Sequence, residues 1–472
     1  MLEMTQIVEL PLWLFVLIML FAAVTALSHF LLPSVRWFFR RRLEKAVARL
    51  NTRLARPIEP FKLARRYDMI QRLIYDPEVT QAIVDHAKAE NVPENVAFEK
   101  ARRYAREIVP SFSAFAYFGF GIRVARWLAN ALYDVRTGPS NDEHLKSVSP
   151  DATVIFVMNH RSNMDYVLVT YLAAQSSALS YAVGEWARVW PLSRLIKSMG
   201  AYFIRRRSRG LLYRKVLARY VQMATQGGVT QAIFPEGGLT VDGKLKPLKM
   251  GLLSYVVDGF DPKGRDVVFV PVAINYDRVL EDRVLIAAHQ RGDRRFGARI
   301  SVVTLSILRK VWEWMRRRYT RYGKAVVAFG EPLSLRSFKT DALIEELAAT
   351  LKERIEDVMP VMFVPLVSHV MLDAAGPISA TALRDGVAQT LVGMRGSVPV
   401  TTPQTLSDLV DLAQAQMLER GMITETGKGL ALVEAERPLL QFYANSIEAL
   451  MDTHKGDPKL PADQRNAARA KS

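Results

Sequence analysis

The sequence predicts an α/β fold with flanking helices, and three observations carry that reading. Short runs at Thr153–Met158, Gln231–Phe234 and Val267–Asn275 are almost wholly apolar, as strands covered on both faces are. Segments of helical period separate them, the alternation that builds an α/β sheet. The run at Thr153–Met158 stops at Asn159 and the run at Gln231–Phe234 at Pro235-Glu236-Gly237-Gly238, and open α/β sheets place ligands at the carboxyl ends of their strands.

Composition bounds the rest. The chain has 472 residues, 50% of them hydrophobic, enough for two to four structural units with a full core. With 64 Lys+Arg against 47 Asp+Glu the formal net charge is +17, which favours an anionic partner. Nucleic acid, an acidic membrane surface and phosphorylated substrates all satisfy that charge. The absence of cysteine excludes disulfides, cysteine-ligated zinc and a thiolate nucleophile.

Taken in order, Leu10–Leu32 lacks Lys, Arg, Asp and Glu and is long enough to cross a bilayer at 1.5 Å per residue, with Pro33 expected to end it. Arg36, Arg40, Arg41, Arg42 and Lys45 follow, which places the rest of the chain on the cytoplasmic side. Met1–Glu9 carries no basic residue and so is not the positive start of a cleaved signal peptide. Residues 1–35 are therefore expected to form a transmembrane anchor in a membrane of the bacterial inner type. Residues 36–135 read as an N-terminal helical region, with helix starts at Asp76-Pro77 and Asn91-Val92-Pro93. Within it, Phe112–Leu132 is apolar but interrupted by Arg123, Arg126 and two glycines, which suits an interfacial helix with snorkelling arginines or a helix packed on the next domain. Arg136–Pro150 is polar and turn-rich, so the α/β domain is set at 136–335. In Lys310–Lys324 aromatics alternate with arginines, a mixture that fits nucleic acid, an anionic membrane or a solvated helix; beside a membrane anchor, the membrane surface is favoured. Residues 336–456 form a C-terminal helical region with helices at Asp341–Val358, Thr405–Glu419 and Arg437–Met451, and 457–472 a polar, disordered tail.

The most informative stretch is Asn-His-Arg-Ser-Asn-Met-Asp after the first strand. His160 and Asp165 are five residues apart, about 140° on a continuous helix, so contact between them requires a turn. A histidine held by a carboxylate can act as a general base, because the acid sets the tautomer and stabilises the imidazolium. The competing reading makes Ser162 the helix cap, Asp165 the other half of a capping box and His160 an ordinary turn residue. No G-x-S-x-G, H-E-x-x-H or G-x-G-x-x-G occurs, and no metal site is evident. Gly238 to Leu245 imitates a phosphate loop but ends in leucine, which cannot ligate Mg²⁺.

Four segments in order, NHRSNMD, GAYFIRR, FPEGG and VPVAINYDRV, resemble the glycerophospholipid H-x₄-D acyltransferases. HRSNMDYVL, GAYFIRR and the C-terminal LLQFYANSI at Leu439–Ile447 are similar to the glycerol-3-phosphate acyltransferase branch. The resemblance implies an acyltransferase-type mixed sheet and a membrane-bound O-acyltransferase of phospholipid biosynthesis. It would take a fatty acyl group from acyl-CoA or acyl carrier protein to the sn-1 hydroxyl of glycerol 3-phosphate, without a cofactor. By the same resemblance His160, oriented by Asp165, deprotonates the acceptor hydroxyl, and Glu236, Gly237 and Gly238 form the acceptor-binding turn. Arg205 and Arg206 pair with the acceptor phosphate, and Pro271 lines the acyl side. Bland readings exist for each: surface charges for the arginines, a helix N-terminal acid for Glu236, a strand-edge proline for Pro271. The branch usually continues its turn Glu-Gly-Gly-Arg-Ser, whereas Leu239-Thr240 stands here. Lys244, Lys246 or Lys249 would then supply the missing charge, Lys249 being the expected contact. Anionic lipid is the expected further partner, and nucleic acid is not expected. Other hydroxyl acceptors, lysophosphatidate or dihydroxyacetone phosphate, remain open, as does a membrane-tethered basic scaffold with no use for His160.

Overall fold

The computed structural model describes residues 11–138, 141–173, 177–184, 188, 192–205, 210–292, 321–338, 344–394 and 405–451. They fall into two compact units, Met1–Pro57 and Ile58–Ser472. Among the described residues the first contains one helix, α1 (Leu12–Asn51), which continues past Pro33 where the sequence expects a stop. Leu12, Trp13 and Phe15 to Phe21 are solvent-exposed along it. Among the described residues no helix is long and apolar enough to cross a membrane, and part of Leu10–Leu32 lies outside them.

The second unit begins with α2 (Pro60–Leu63), α3 (Arg66–Ile74), α4 (Pro77–Ala89) and α5 (Glu94–Ile108). Asp76 caps α4 by accepting from the Glu78 N–H at 3.1 Å, with Pro77 in the first turn, where its missing N–H costs nothing. Phe115–Gly121 forms a π-helix that runs into α6 (Ile122–Leu132). Ala125 and Ala129 let α6 pack closely, and its main neighbour is α8 (Met164–Ala173), while Phe115, Phe120 and Trp127 stay exposed.

The remaining elements are β1 (Asp134–Thr137), α7 (Asn141–Ser147), β2 (Thr153–Met158), β3 (Ser180–Val183), α9 (Leu192–Ser198), β4 (Tyr202–Phe203), α10 (Leu211–Gln226), β5 (Gln231–Ile233), α11 (Gly251–Asp258), β6 (Val267–Tyr276), α12 (Asp282–Gln290), β7 (Lys324–Phe329) and β8 (Leu333–Ser334). One mixed sheet has the order β1-β7-β6-β2-β5-β3-β4, with β8 also on β6. Strands β6, β2, β5, β3 and β4 run parallel, whereas β7 is antiparallel to β6 and parallel to β1. Every residue of β2 and β6 is buried, as their unbroken apolar runs require. Where the sequence suggests a polar boundary from Arg136, the chain instead adds β1 to the sheet edge.

Pro271 lies inside β6, an unusual place for a residue without an N–H. It is tolerated because β6 changes partner there on one side, pairing with β8 through Val268 and Phe269 and with β7 from Val272 onward.

The C-terminal region contains α13 (Ile344–Asp357), α14 (Phe363–Asp373), α15 (Ala380–Gly393), α16 (Leu406–Glu419), the hairpin β9 (Ile423–Thr426) and β10 (Gly429–Leu432), α17 (Arg437–Ala444) and α18 (Glu448–Met451). Thr405 and Asp408 close a capping box at the start of α16. The hairpin, α14 and α15 are additions to the expected helices, and Arg437–Met451 is two short helices rather than one. Residues 310–320 of the expected basic aromatic helix and the tail from Asp457 lie outside the described residues, and Lys324 opens β7.

Candidate active site

The turn after β2 is fixed by hydrogen bonds from three directions. Asn159 extends the pairing of β2 with β6: its Nδ2 donates to the Ile274 carbonyl at 2.9 Å, and its Oδ1 accepts from the Ile274 N–H at 2.8 Å. A side-chain amide thus substitutes for one more backbone pair. The next residue, His160, donates its backbone N–H to Glu236 Oε1 at 2.7 Å, while its carbonyl accepts from the Thr240 N–H at 2.9 Å. The Glu236-Gly237-Gly238 turn therefore wraps the His160 backbone.

His160 Nδ1 lies 2.9 Å from Asp165 Oδ2, with the two residues only 1% and 0% exposed. The same Oδ2 accepts the N–H groups of Arg161 and Ser162 at 2.8 and 3.1 Å. Ser162 Oγ in turn accepts from the Met164 N–H at 3.1 Å. The capping box and the His–Asp pair, alternatives in the sequence, are one structure in which a single carboxylate caps α8 and fixes the imidazole. Asp165 requires Nδ1 to carry the proton, so Nε2 is the basic nitrogen, and among the described residues it has no hydrogen-bond partner. Phe234 lies against the imidazole with centroids 4.3 Å apart, and Tyr166 meets it edge-on at 5.4 Å.

Glu236 is buried, and both carboxylate oxygens are occupied, Oε2 by the Lys246 N–H at 3.2 Å. Burial pushes its carboxyl up to about 7. In this structure it thus clamps the backbone N–H groups of His160 and Lys246. Gly237 has φ +74°, and a Cβ there would sit 2.5 Å from Lys249 Nζ. The positive φ favours glycine, and the exposed Lys249, whose side chain a Cβ would push aside, lies directly over the turn. Gly238 is half-buried in the same turn. Lys244 is paired with Glu448 at 2.7 Å and Lys246 Nζ donates to the Leu239 carbonyl at 3.2 Å, so of the three candidate lysines Lys249 is, among the described residues, the one without such a commitment.

Arg205 is not gathered into this cluster. Its guanidinium makes two hydrogen bonds to Glu107, at 2.9 and 2.7 Å, and stacks on Tyr104 and Tyr213. It follows β4, three strands from β2, about 14 Å at the usual strand spacing. In this structure the residue expected to contact phosphate is thus held by a buried carboxylate on α5, which Arg188 also pairs with at 3.0 Å. Arg206 lies outside the described residues. Pro271 is buried beside Val157 in the sheet, and its Cβ faces Gly330.

Four residues escaped the sequence reading. Glu281 accepts from Ser162 Oγ at 2.8 Å and from the backbone and side-chain N–H groups of Asn163 at 3.2 and 3.0 Å, with its carboxyl pushed up to about 7 by burial. Tyr276 donates its hydroxyl to Asp165 Oδ1 at 2.5 Å. Arg161, 3% exposed, donates through Nη2 to the carbonyls of Gly243 at 3.0 Å and Ser446 at 3.4 Å. Asn445 Nδ2 donates to the Asp242 carbonyl at 2.7 Å, so the Leu439–Ile447 segment closes over the loop that follows the glycine turn. Arg161, Tyr276 and Asn445 stand inside the quoted segments NHRSNMD, VPVAINYDRV and LLQFYANSI, and Glu281 two residues after one, but nothing in those segments says which groups they meet. Among the described residues no group of three His, Asp or Glu side chains could hold a metal ion.

This constellation suits proton transfer from a hydroxyl: a buried, oriented imidazole with one nitrogen available, and a lysine over an adjacent glycine turn. Residues 140–275 match the family model described as Acyltransferase, and residues 307–451 the one described as the glycerol-3-phosphate acyltransferase C-terminal region. The chain is similar to the glycerol-3-phosphate acyltransferase of Pseudomonas putida (strain GB-1), 26% identical over 82% of this chain and 49% of that protein. It is also similar to the protein of that name from Pseudomonas entomophila (strain L48), 31% identical over 58% of this chain and 32% of the other. The chain thus spans about half the length, or less, of these relatives. Among solved structures, the 1-acyl-sn-glycerophosphate (LPA) acyltransferase PlsC from Thermotoga maritima aligns with a TM-score of 0.31 and 21% identity, over 51% of this chain and 77% of that one.

Proposed function

We propose that this chain, which belongs to the acyltransferase family, moves a fatty acyl group from a thioester donor, acyl-CoA or acyl carrier protein, to the sn-1 hydroxyl of glycerol 3-phosphate. The observation that carries the reading is the buried 2.9 Å contact between His160 Nδ1 and Asp165, which leaves Nε2 as the base. Nε2 takes the hydroxyl proton as the oxygen attacks the thioester carbonyl. The tetrahedral intermediate collapses, the carbon–sulfur bond breaks, and the departing thiolate receives the proton from His160. Asp165 stabilises the imidazolium in between, and no covalent enzyme intermediate is required. Lys249, beside Gly237, binds the acceptor phosphate in place of the arginine that the branch carries where Leu239 stands.

The relatives' names support the acceptor, and the exposed apolar residues of α1 support a membrane anchor. With basic residues following that helix, the catalytic unit faces the cytoplasm of a bacterial-type inner membrane and gathers anionic lipid. The test is acyl transfer by purified protein from labelled palmitoyl-CoA or acyl carrier protein to glycerol 3-phosphate or lysophosphatidate, with His160→Ala alongside. Product from glycerol 3-phosphate that vanishes in the variant is expected. Product from lysophosphatidate alone would keep the base and overturn the acceptor; transfer undiminished in His160→Ala would overturn the mechanism.

A further inference from the structure

Asp165 has a second oxygen, and the environment of that oxygen carries an inference. Oδ2 is saturated by the imidazole and two backbone donors, whereas Oδ1 receives the Tyr276 hydroxyl at 2.5 Å. Tyr276 is the last residue of β6, fully buried, with its ring against Tyr133 at 5.3 Å and its own N–H on Asn275 Oδ1 at 2.9 Å. Backbone pairing with Ala325 of β7 fixes its position from the other side. The hydroxyl is therefore aimed by the central sheet and not by the turn it serves.

Resting on the acyl-transfer reading above, we propose that Tyr276 is a positioning residue for His160, acting through Asp165 to set the strength of the general base. A hydroxyl donating to one carboxylate oxygen draws charge from the other, so it moderates the pull of Asp165 on the imidazolium that forms when the base takes a proton. It also blocks rotation of the carboxylate about its last bond, because turning would break the hydrogen bond and strand a fully buried hydroxyl. Burial, followed by the charge of Asp165, holds the Tyr276 hydroxyl well above its ordinary range, so it remains a donor. The other titratable and charged groups facing these residues, among the described ones, are Tyr133 after α6, Arg161 in the turn, Tyr166 of α8, Glu236 after β5, Glu281 after β6 and Tyr443 of α17; Glu236 is taken up by the backbone N–H groups of His160 and Lys246.

Tyr276→Phe keeps the ring and removes only the donor. Two measurements are made on the full chain: the pH profile of kcat/KM for acyl transfer, and the titration of His160 followed by NMR of ¹⁵N-histidine-labelled protein, with His160→Ala assigning the signal. The expected result is an upward shift of about one pH unit in both the acidic limb and the His160 titration, the worth of one hydrogen bond to a charged group. At pH 6 kcat/KM falls roughly tenfold, while the alkaline plateau and both KM values stay within about twofold. A His160 titration unmoved in folded Tyr276→Phe would overturn the inference whether or not the protein transfers acyl groups. A shifted titration in a protein without His160-dependent transfer would preserve the Tyr276 linkage and sink the acyl-transfer reading instead.

Discussion

Replacing Asp165 by asparagine is the sharpest test of the site, because the surrounding donors dictate how the new amide must sit. Two backbone N–H groups, from Arg161 and Ser162, point at the Oδ2 position. They can be satisfied only if the amide oxygen occupies that position, which places the NH₂ opposite the Tyr276 hydroxyl, where that oxygen can accept. The imidazole thus keeps its Nδ1–H tautomer, and what disappears is the negative charge. At roughly 4 Å between charge centres and an effective dielectric constant of about 20, that charge stabilises the imidazolium by about 4 kcal/mol. The expected fall in kcat is therefore about a thousandfold, with acceptor KM nearly unchanged. The acidic limb of the pH profile moves down, opposite in sign to the shift expected for Tyr276→Phe. The assay is single-turnover acyl transfer across pH 5–9, with thermal unfolding to confirm that the variant is folded. A drop of less than tenfold in a folded protein would refute the charge argument, and a fall beyond a millionfold would show that the amide has flipped and the tautomer is lost.

Four further outcomes follow from the same contacts. Lys249→Ala is expected to raise the acceptor KM about tenfold at constant kcat, the loss of one charge-assisted contact to phosphate; an unchanged KM removes Lys249 from the site. Glu281→Ala strands the donors of Ser162 and Asn163 and should cost about 2–4 kcal/mol in urea unfolding, with Glu281→Gln recovering part of it; equal loss in both variants would contradict this. Since burial raises Glu236 and Glu281 to about 7, both bind protons more tightly folded than unfolded. Their contribution is complete below the ordinary carboxylate range and lost as pH rises through 7, so the urea midpoint should fall from pH 6 to pH 8, and by less in Glu281→Gln. Gly237→Ala meets both a positive φ and the Lys249 side chain; it should destabilise by about 1–2 kcal/mol and raise acceptor KM, as checked by unfolding and steady-state kinetics.

What the sequence by itself determined is what lies within one turn or one run of residues. β2, β5 and β6 are apolar on both faces, so only a covered sheet accommodates them. The His160-to-Asp165 contact spans five residues and is built by the same hydrogen bonds that start α8, so its geometry is local. Tertiary structure alone decided which distant groups support that turn. Tyr276 and Glu281 lie more than a hundred residues from their partners in the turn, and Arg161 reaches Ser446 across 285. Nothing in local pattern marks such pairs, because side-chain spacing reports the face of an element, not the element placed opposite. Arg205 shows the converse: an arginine at a strand end reads as a phosphate ligand until the fold brings Glu107 to within 2.7 Å of it. Glu107 is buried on α5 and draws Arg188 to it as well, at 3.0 Å, an ion-pair cluster that no local pattern around Arg205 announces.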